Sequence, residues 1–270
     1  MSLSLQSTCT GVIGVGNMGE ALLAGLIQAG VPASNICFSE KRDERAAEIS
    51  TKYGAQRKSN EEIAQGCDVI LLVTKPQDLA DLIKEISGSL KASTLLVSFA
   101  AGKKTEFIEN LTTGDNAVIR VMPNTPALIG KGMAAISAGK FATAEQIVFV
   151  HTFLEASGEV VEVTEDLQDA VTAASGSGPA YFFAFVEAMV AAGRELGLSE
   201  EVATKLAVQT IYGAAGMLLE SGKSATTLRE NVTSPNGTTA AALKVFSDFN
   251  LENIVLRAMS AARDRSQELA

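Results

Sequence analysis

The chain is short of the side chains on which much enzyme chemistry depends. Its 270 residues include one histidine, His151. A histidine relay or a histidine-built metal centre therefore has nothing to stand on, and His151 reads as a surface or capping residue of a helix. Cysteine is as sparse. Cys9, Cys37 and Cys67 form an odd set with no CxxC spacing, each beside a predicted strand, and read as buried free thiols of a reducing cytoplasm. No metal site is assigned. Basic residues are outnumbered, 22 Lys and Arg against 31 Asp and Glu, and the net charge of −9 excludes a nucleic-acid partner. Long apolar runs are missing as well: residues 180–192 are the longest, are interrupted by Glu187, and are too short to span a bilayer. The opening MSLSLQSTCT has neither the basic start nor the apolar run of a secretory signal, so a cytoplasmic protein with no membrane partner is expected.

What is present has a clear order. Short β-branched runs at residues 10–15, 36–39, 69–73, 94–98, 118–121, 134–137 and 160–163 alternate with helical patterns at 19–29, 43–53, 60–65, 79–86 and 105–111. Such alternation predicts an α/β fold with a parallel, doubly wound sheet. From about residue 166 the strand signal stops and helices follow, at 167–175, 179–196, 200–220 and 238–248, with a last one from 251. The predicted division is residues 1–165 and 166–270. Helix 200–220 carries Ala203, Leu206, Ala207, Ile211, Ala214 and Leu218 on one stripe, with Val202, Val208, Tyr212 and Met217 away from it. A helix apolar on nearly every side must be covered on most of them. About 100 residues cannot cover both it and the apolar 179–192 segment, so a second copy of the chain is expected to complete this core.

Gly14-Val-Gly16-Asn17-Met18-Gly19 is a GxGxxG placed after a strand and opening a helix. The first glycine permits a tight turn, the second lets backbone approach a pyrophosphate, and the third allows close helix–strand packing. The first region therefore reads as a Rossmann-type dinucleotide-binding domain. The second strand ends at Ser39 and Glu40, 21 residues beyond Gly19. An acid there bonds the ribose hydroxyls of NAD, while Lys41 and Arg42 beside it suit the 2′-phosphate of NADP, so the cofactor is NADPH or NADH. Val73-Thr-Lys75-Pro76 and Ser98-Phe-Ala100-Ala101-Gly102 end the next two strong strands, at the sheet edge where such folds bind ligands. Lys75 is read as shaping the loop over the cofactor rather than as a base.

Two further segments carry polar turns. Arg120-Val-Met-Pro-Asn124-Thr-Pro126 is rigid, with two prolines in four residues, and Val232-Thr-Ser234-Pro-Asn236-Gly237-Thr238-Thr239 precedes an apolar helix. The free N–H groups at that helix start suit a small anion such as a carboxylate. Together with GVGNMG and with Gly176-Ser-Gly-Pro-Ala-Tyr181, these segments give the chain a resemblance to the pyrroline-5-carboxylate reductase family, running from about Thr10 to Leu269. Two positions depart from the commonest pattern: Asn236 stands where glycine is usual, and Glu40 where a small polar residue is common.

The resemblance implies an all-α dimerisation domain after the Rossmann domain, interlocked with that of a second chain so that each site draws on both; a larger assembly of dimers is compatible with it. It implies hydride transfer from NAD(P)H to the C=N carbon of 1-pyrroline-5-carboxylate, yielding L-proline. Ser234 and the N–H groups of Gly237, Thr238 and Thr239 would bind the carboxylate, and Thr239 would bond the ring nitrogen. Glu165 matches a position near the substrate, and Asn60 and Asn231 match cofactor contacts. A β-hydroxyacid dehydrogenase shares the two-domain plan, but residues 170–194 lack the lysine such an enzyme needs as its base. A reductase of another cyclic imine and a non-catalytic NAD(P)-sensing module are the remaining alternatives.

Overall fold

A computed structural model describes residues 3–269. In chain order its first part runs β1 (Thr10–Ile13), α1 (Asn17–Gln28), β2 (Ile36–Ser39), α2 (Asp43–Tyr53), β3 (Gln56–Arg57), α3 (Asn60–Gly66), β4 (Val69–Leu72), α4 (Leu79–Ser87) and β5 (Leu95–Ser98). It continues with α5 (Thr105–Glu109), β6 (Val118–Met122), β7 (Gly132–Ala138), α6 (Ala144–Glu155), β8 (Gly158–Glu162) and α7 (Gln168–Val171). Five helices follow: α8 (Gly178–Glu195), α9 (Glu200–Glu220), α10 (Ala225–Asn231), α11 (Thr238–Asp248) and α12 (Leu251–Glu268).

The eight strands form one sheet in the order β3-β2-β1-β4-β5-β6-β7-β8. Pairings are parallel with one exception, β6–β7, which is antiparallel. The expected parallel sheet is thus interrupted at its far edge. The physical reason is local: β7 follows β6 through a short turn at Thr125–Ile129 with no crossover helix, and a parallel partner needs a crossover of a dozen residues or more. Alternate residues enter opposite cores, as a two-residue period requires. Val12, Leu71, Val97 and Ile119 pack with α1, α2 and α6, while Ile13, Ile70, Leu72, Leu96 and Val118 pack with α3, α4 and α5. Each fully buried Leu, Ile or Val contributes roughly 1.5–3 kcal/mol by leaving water.

The chain separates into two compact units: residues 3–177 with 262–269, and Gly178–Ala261. The sequence reading divided the chain at 165/166, whereas the compact units divide at Ser177/Gly178. Residues 166–177 belong with the sheet because their polar groups are used there. Gln168 is wholly buried and donates to Ser137 Oγ at 2.8 Å, and Asn124 donates to Ser175 Oγ at 3.2 Å. Between α7 and α8 the backbone widens into a π-helical turn, Thr172–Gly176. Gly176 sits against Met122, where an added Cβ would lie 2.4 Å from the methionine Cε.

The second unit is built differently. α8 ends at Glu195, two residues before Gly197, whose φ of +96° is left-handed, and α9 starts under Ser199, whose side chain accepts from Val202 N at 3.3 Å. Ala203 and Ala207 are its buried hydrophobic residues, Ala203 against Gly193. Phe183, Tyr212, Leu219 and Leu256 are all more than 60% exposed. α9 is also long and apolar enough to cross a membrane by length and composition, a property the sequence reading did not assign to it.

Candidate active site

The strand order reverses between β1 and β4: the chain lays β1, β2 and β3 to one side, then returns to place β4 and β5 on the other. A crevice opens beyond the carboxyl ends of adjacent strands at such a point. Here it encloses about 700 Å³ and is lined by Gly14, Ser39, Glu40, Asn60, Thr74 and Lys75 among others. Gly14 and Gly19 each have a separate steric reason. Gly14 has φ +96°, and a Cβ on it would meet Val73 O at 2.7 Å. A Cβ on Gly19 would lie 2.0 Å from Gly14 O, so only glycine lets α1 press against the turn. Gly16 has nothing within 4 Å of its missing Cβ, which leaves open room beside the start of α1. That helix has no side-chain cap, so its first N–H groups remain available to an anion.

Two buried acceptors in the crevice, Asn60 Oδ1 and Thr74 Oγ1, have no hydrogen-bond partner among the described residues. Buried polar atoms without partners are rare in proteins, and these two suit a polar ligand. Asn60 is otherwise held, its Nδ2 donating to Glu85 Oε1 at 3.0 Å. A dinucleotide fits this crevice: Gly14 and the residues of both unpaired polar atoms line it, and the uncapped start of α1 follows Gly14 in the chain.

Glu40 is positioned by its neighbour. Its Oε1 accepts from Arg42 N at 3.0 Å and from Arg42 Nε at 3.1 Å. Burial pushes its carboxyl up, but the Arg42 N–H and guanidinium outweigh that and hold it below the usual carboxylate range. Deeper in the same face, Glu20 of α1 accepts from Lys52 at 2.7 Å and Tyr53 at 2.8 Å and pairs with Arg45, which ties α1 to α2. The Lys52 bond is the main reason its carboxyl falls from the usual 4.5 to about 2.

Lys75 is exposed and starts the Pro76–Asp78 turn, its carbonyl accepting from Asp78 N at 3.0 Å. Val73 abuts Gly14. Asn17 and Met18 lie in the first turn of α1. Ala100, Ala101 and Gly102 follow β5 and are not among the crevice-lining residues; Gly102, at φ +74°, lies beneath Ser266 and Leu269, so its lack of a side chain is used there.

Glu165 is fully engaged within its own domain. Its Oε1 accepts from Arg120 Nη1 at 2.8 Å and its Oε2 from Thr105 Oγ1 at 2.8 Å. Arg120 is 1% exposed, and its Nη2 lies 3.7 Å from Asp169, which accepts from Ser266 Oγ at 2.7 Å. Sequence reading singled out Glu165 and the Arg120 turn separately. It missed that they are ion-pair partners, and missed Thr105, Asp169 and Thr74 altogether.

In the helical unit, the segment after α10 is a turn stabilised from within. Thr233 Oγ1 donates to Arg229 O at 2.6 Å and Gly237 N to Ser234 O at 3.0 Å. Asn236 has φ +60°, a left-handed conformation that glycine adopts freely and asparagine tolerates better than most residues. Gly237 packs closely on Ser234, since an added Cβ would lie 2.4 Å from Ser234 Oγ and 3.1 Å from Ser234 O. Gly237 then opens α11 without a side-chain cap, so the first-turn N–H groups at Thr238 and Thr239 are left for another partner. Asn231 ends α10 and is exposed.

Residues 165–269 match a family model described as pyrroline-5-carboxylate reductase dimerisation, and residues 10–102 one described as NADP oxidoreductase, coenzyme F420-dependent. The pyrroline-5-carboxylate reductase of Corynebacterium melassecola is 42% identical over 266 residues, covering 97% of this chain and 98% of that one. The chain belongs to the pyrroline-5-carboxylate reductase family. The family likeness extends to three dimensions: a pyrroline-5-carboxylate reductase from Coxiella burnetii, 34% identical, superposes with a TM-score of 0.91 over 98% of this chain and 99% of that one. A Plasmodium falciparum pyrroline carboxylate reductase with NADP bound, 30% identical, gives 0.88 over 98% and 99%. The two uncapped helix starts thus lie in a chain whose whole length follows a reductase of this family.

Proposed function

We propose that this protein is an NAD(P)H-dependent oxidoreductase that reduces the C=N bond of 1-pyrroline-5-carboxylate to give L-proline. The observation that carries the reading is the pair of uncapped helix starts, one under the GxGxxG turn and one under Ser234–Gly237. The first suits a pyrophosphate and the second a small carboxylate. The cofactor supplies the hydride when bound. The chain's own tasks are positional, because a cyclic imine protonates readily and is then already electrophilic.

Gly14, Gly16 and the start of α1 would hold the diphosphate, and Asn60 and Thr74 offer the polar atoms beside it. Glu40 and Arg42 stand together at the ribose end, so the carboxylate favours a free 2′-hydroxyl and the guanidinium a 2′-phosphate. The Plasmodium relative's bound NADP supports use of the phosphorylated cofactor. Ser234 and the N–H groups of Thr238 and Thr239 would grip the substrate carboxylate, the Gly237 N–H being already given to Ser234 O, with the Thr239 hydroxyl bonding the ring nitrogen. A threonine hydroxyl is too weakly acidic to donate the proton alone, so Thr239 orients the ring and relays a proton from water. Glu165 enters as a positioning group, its two oxygens being taken by Arg120 and Thr105. The helical unit's exposed apolar surface and its dimerisation family match support a homodimer with interlocked helices, in which the substrate segment of one chain serves the cofactor of the other. A cytoplasmic location is consistent with this metabolism.

NAD(P)H consumption measured with 1-pyrroline-5-carboxylate and with its six-membered-ring homologue tests the proposal. Faster turnover of the five-membered ring is expected. Turnover of neither would end the enzyme reading, and preference for the larger ring would reassign the substrate. Thr239→Ala is expected to lower kcat about 100-fold with NADPH affinity nearly unchanged.

A further inference from the structure

All three cysteines of the chain meet at one point, although 28 and 30 residues of sequence separate them. Cys9 lies just before β1, Cys37 within β2 and Cys67 between α3 and β4, so three separate elements deliver the sulfurs. Cys37 Sγ and Cys67 Sγ are 3.2 Å apart, Cys9 Sγ and Cys67 Sγ 3.6 Å, and all three lie within 4.8 Å of one another. Cys37 and Cys67 are 3% and 0% exposed, whereas Cys9 is half-buried and gives access from solvent.

The surroundings hold this arrangement in place. Cys9 N donates to Asp68 Oδ2 at 3.1 Å, its carbonyl accepts from Asp68 N at 2.9 Å, and Lys91 pairs with Asp68 at 2.9 Å. Cys67 O accepts from Thr94 Oγ1 at 3.2 Å. Gly11 makes the room: a Cβ there would lie 3.1 Å from Cys67 Sγ and 2.3 Å from Ile63 Cγ2. Packing alone asks only that small apolar groups fill space, and does not require all three sulfurs to face one another. A disulfide uses two sulfurs and leaves the third unexplained.

We infer that Cys9, Cys37 and Cys67 form a binding site for a soft d10 metal ion, of the Zn(II) or Cu(I) class. Sulfur bonds to such an ion are about 2.3 Å long, which sets three ligating sulfurs about 3.8–4.0 Å apart. The thiols need to move by only a few tenths of an ångström. On binding, three sulfur–metal bonds form and the thiol protons leave to solvent, with no change of oxidation state. The group contains no histidine or carboxylate among the described residues, so a three-coordinate ion, or a four-coordinate one completed by water, is the species it fits. The sulfurs gather toward the amino-terminal ends of β1 and β4, the edge opposite the nucleotide crevice. The ion would therefore tie β1, β2 and β4 together without entering the hydride-transfer site.

The test uses the full-length protein, reduced and desalted without oxygen, titrated first with Cd(II) and then with Zn(II) and with Cu(I) against chromophoric chelators. One ion per chain is expected, with thiolate-to-cadmium charge-transfer absorption breaking at one equivalent and the thiols becoming unreactive toward a disulfide reagent. Cys9→Ser changes the half-buried member; it is expected to keep fold and NADPH binding while weakening metal binding by more than about 100-fold, beyond what changes outside a ligand set produce. Cys67→Ala is the second variant, with the same loss expected. No break at one equivalent, undiminished binding in Cys9→Ser, or isolation of the reduced-cell protein with two of the thiols already joined in a disulfide would overturn the proposal. Tight binding of Zn(II) over Cu(I), or the reverse, identifies which ion the site takes.

Discussion

The two units of this chain solve the problem of burial in opposite ways. The sheet-containing unit fills both faces of a parallel sheet: β1 and β4 are buried along their whole length, and helices from either side close over them. The helical unit buries hardly more than Ala203 and Ala207 in apolar side chains and leaves Phe183, Tyr212 and Leu219 in the open. The same hydrophobic effect operates in each, so the difference lies in where the complementary surface comes from. The first unit carries its own; the second leaves its apolar side chains uncovered within the chain and matches a dimerisation family. Local order does not follow the same line, since α9 has a capped start and α8 a left-handed glycine stop despite their exposure.

That contrast can be broken at several points. The largest effect is expected from Gly19→Ala, because the new methyl would collide with Gly14 O at 2.0 Å and no flexible side chain can yield. Stability should drop by about 2–3 kcal/mol, and NADPH affinity should weaken at least about 100-fold. Calorimetry and a fluorescence titration measure the two; wild-type affinity would show that the turn is looser than its geometry. Next comes Leu206→Glu on α9, where the wild-type side chain is 53% exposed. It should dissociate the dimer, weakening association about 100-fold or more by burying a charge, while NADPH binding survives. Sedimentation and nucleotide titration together decide: an intact dimer would place the interface elsewhere, and loss of both properties would show that the first unit depends on the second.

Smaller changes sharpen the picture. At Asn236, φ +60° predicts that Asn236→Gly is neutral to within about 0.5 kcal/mol and that Asn236→Val costs about 1–2 kcal/mol. Equal denaturation midpoints for the two variants would contradict the left-handed turn. The smallest effect is a pH dependence. Glu20 has its carboxyl lowered from 4.5 to about 2 in the folded chain, so its stabilising contribution is complete above 4.5 and fades as pH falls toward 2. Glu20→Gln should flatten the acid limb of the stability profile in that window; an unchanged slope would mean its three partners are not held in solution.

Much of this was readable in advance, for reasons that can be named. Strong β-branched runs marked the central strands, and the GxGxxG pointed to the turn at Gly14 and the close packing at Gly19. What was missed depends on distance or on competing signals. α6 was given no bounds and entered only through the reading of His151 as a helix residue, because Ile147, Val148, Phe149 and Val150 look like a strand, although a Thr143–Gln146 capping box stands in front of them. The antiparallel β7 follows from the absence of a crossover helix, a feature that only counts once β6 and β7 are both placed. β3 is two residues long and has no periodicity to detect. The pairing of Arg120 with Glu165, like the meeting of Cys9, Cys37 and Cys67, joins positions far apart in sequence and has no local signature.

One feature of the chain path reaches beyond contacts into the order of events during synthesis. Residues 262–269 belong to the sheet-containing unit, where Ser266 is buried and bonded to Asp169 and Leu269 lies over Gly102. The ribosome therefore makes the opening 177 residues of that unit, then the whole helical segment, and only afterwards the piece that seats beside Gly102. Co-translational folding of a domain as a unit cannot finish on time here. The nucleotide-binding half must wait, partly assembled, while the whole helical segment emerges, and its last seam closes only after that segment has been made.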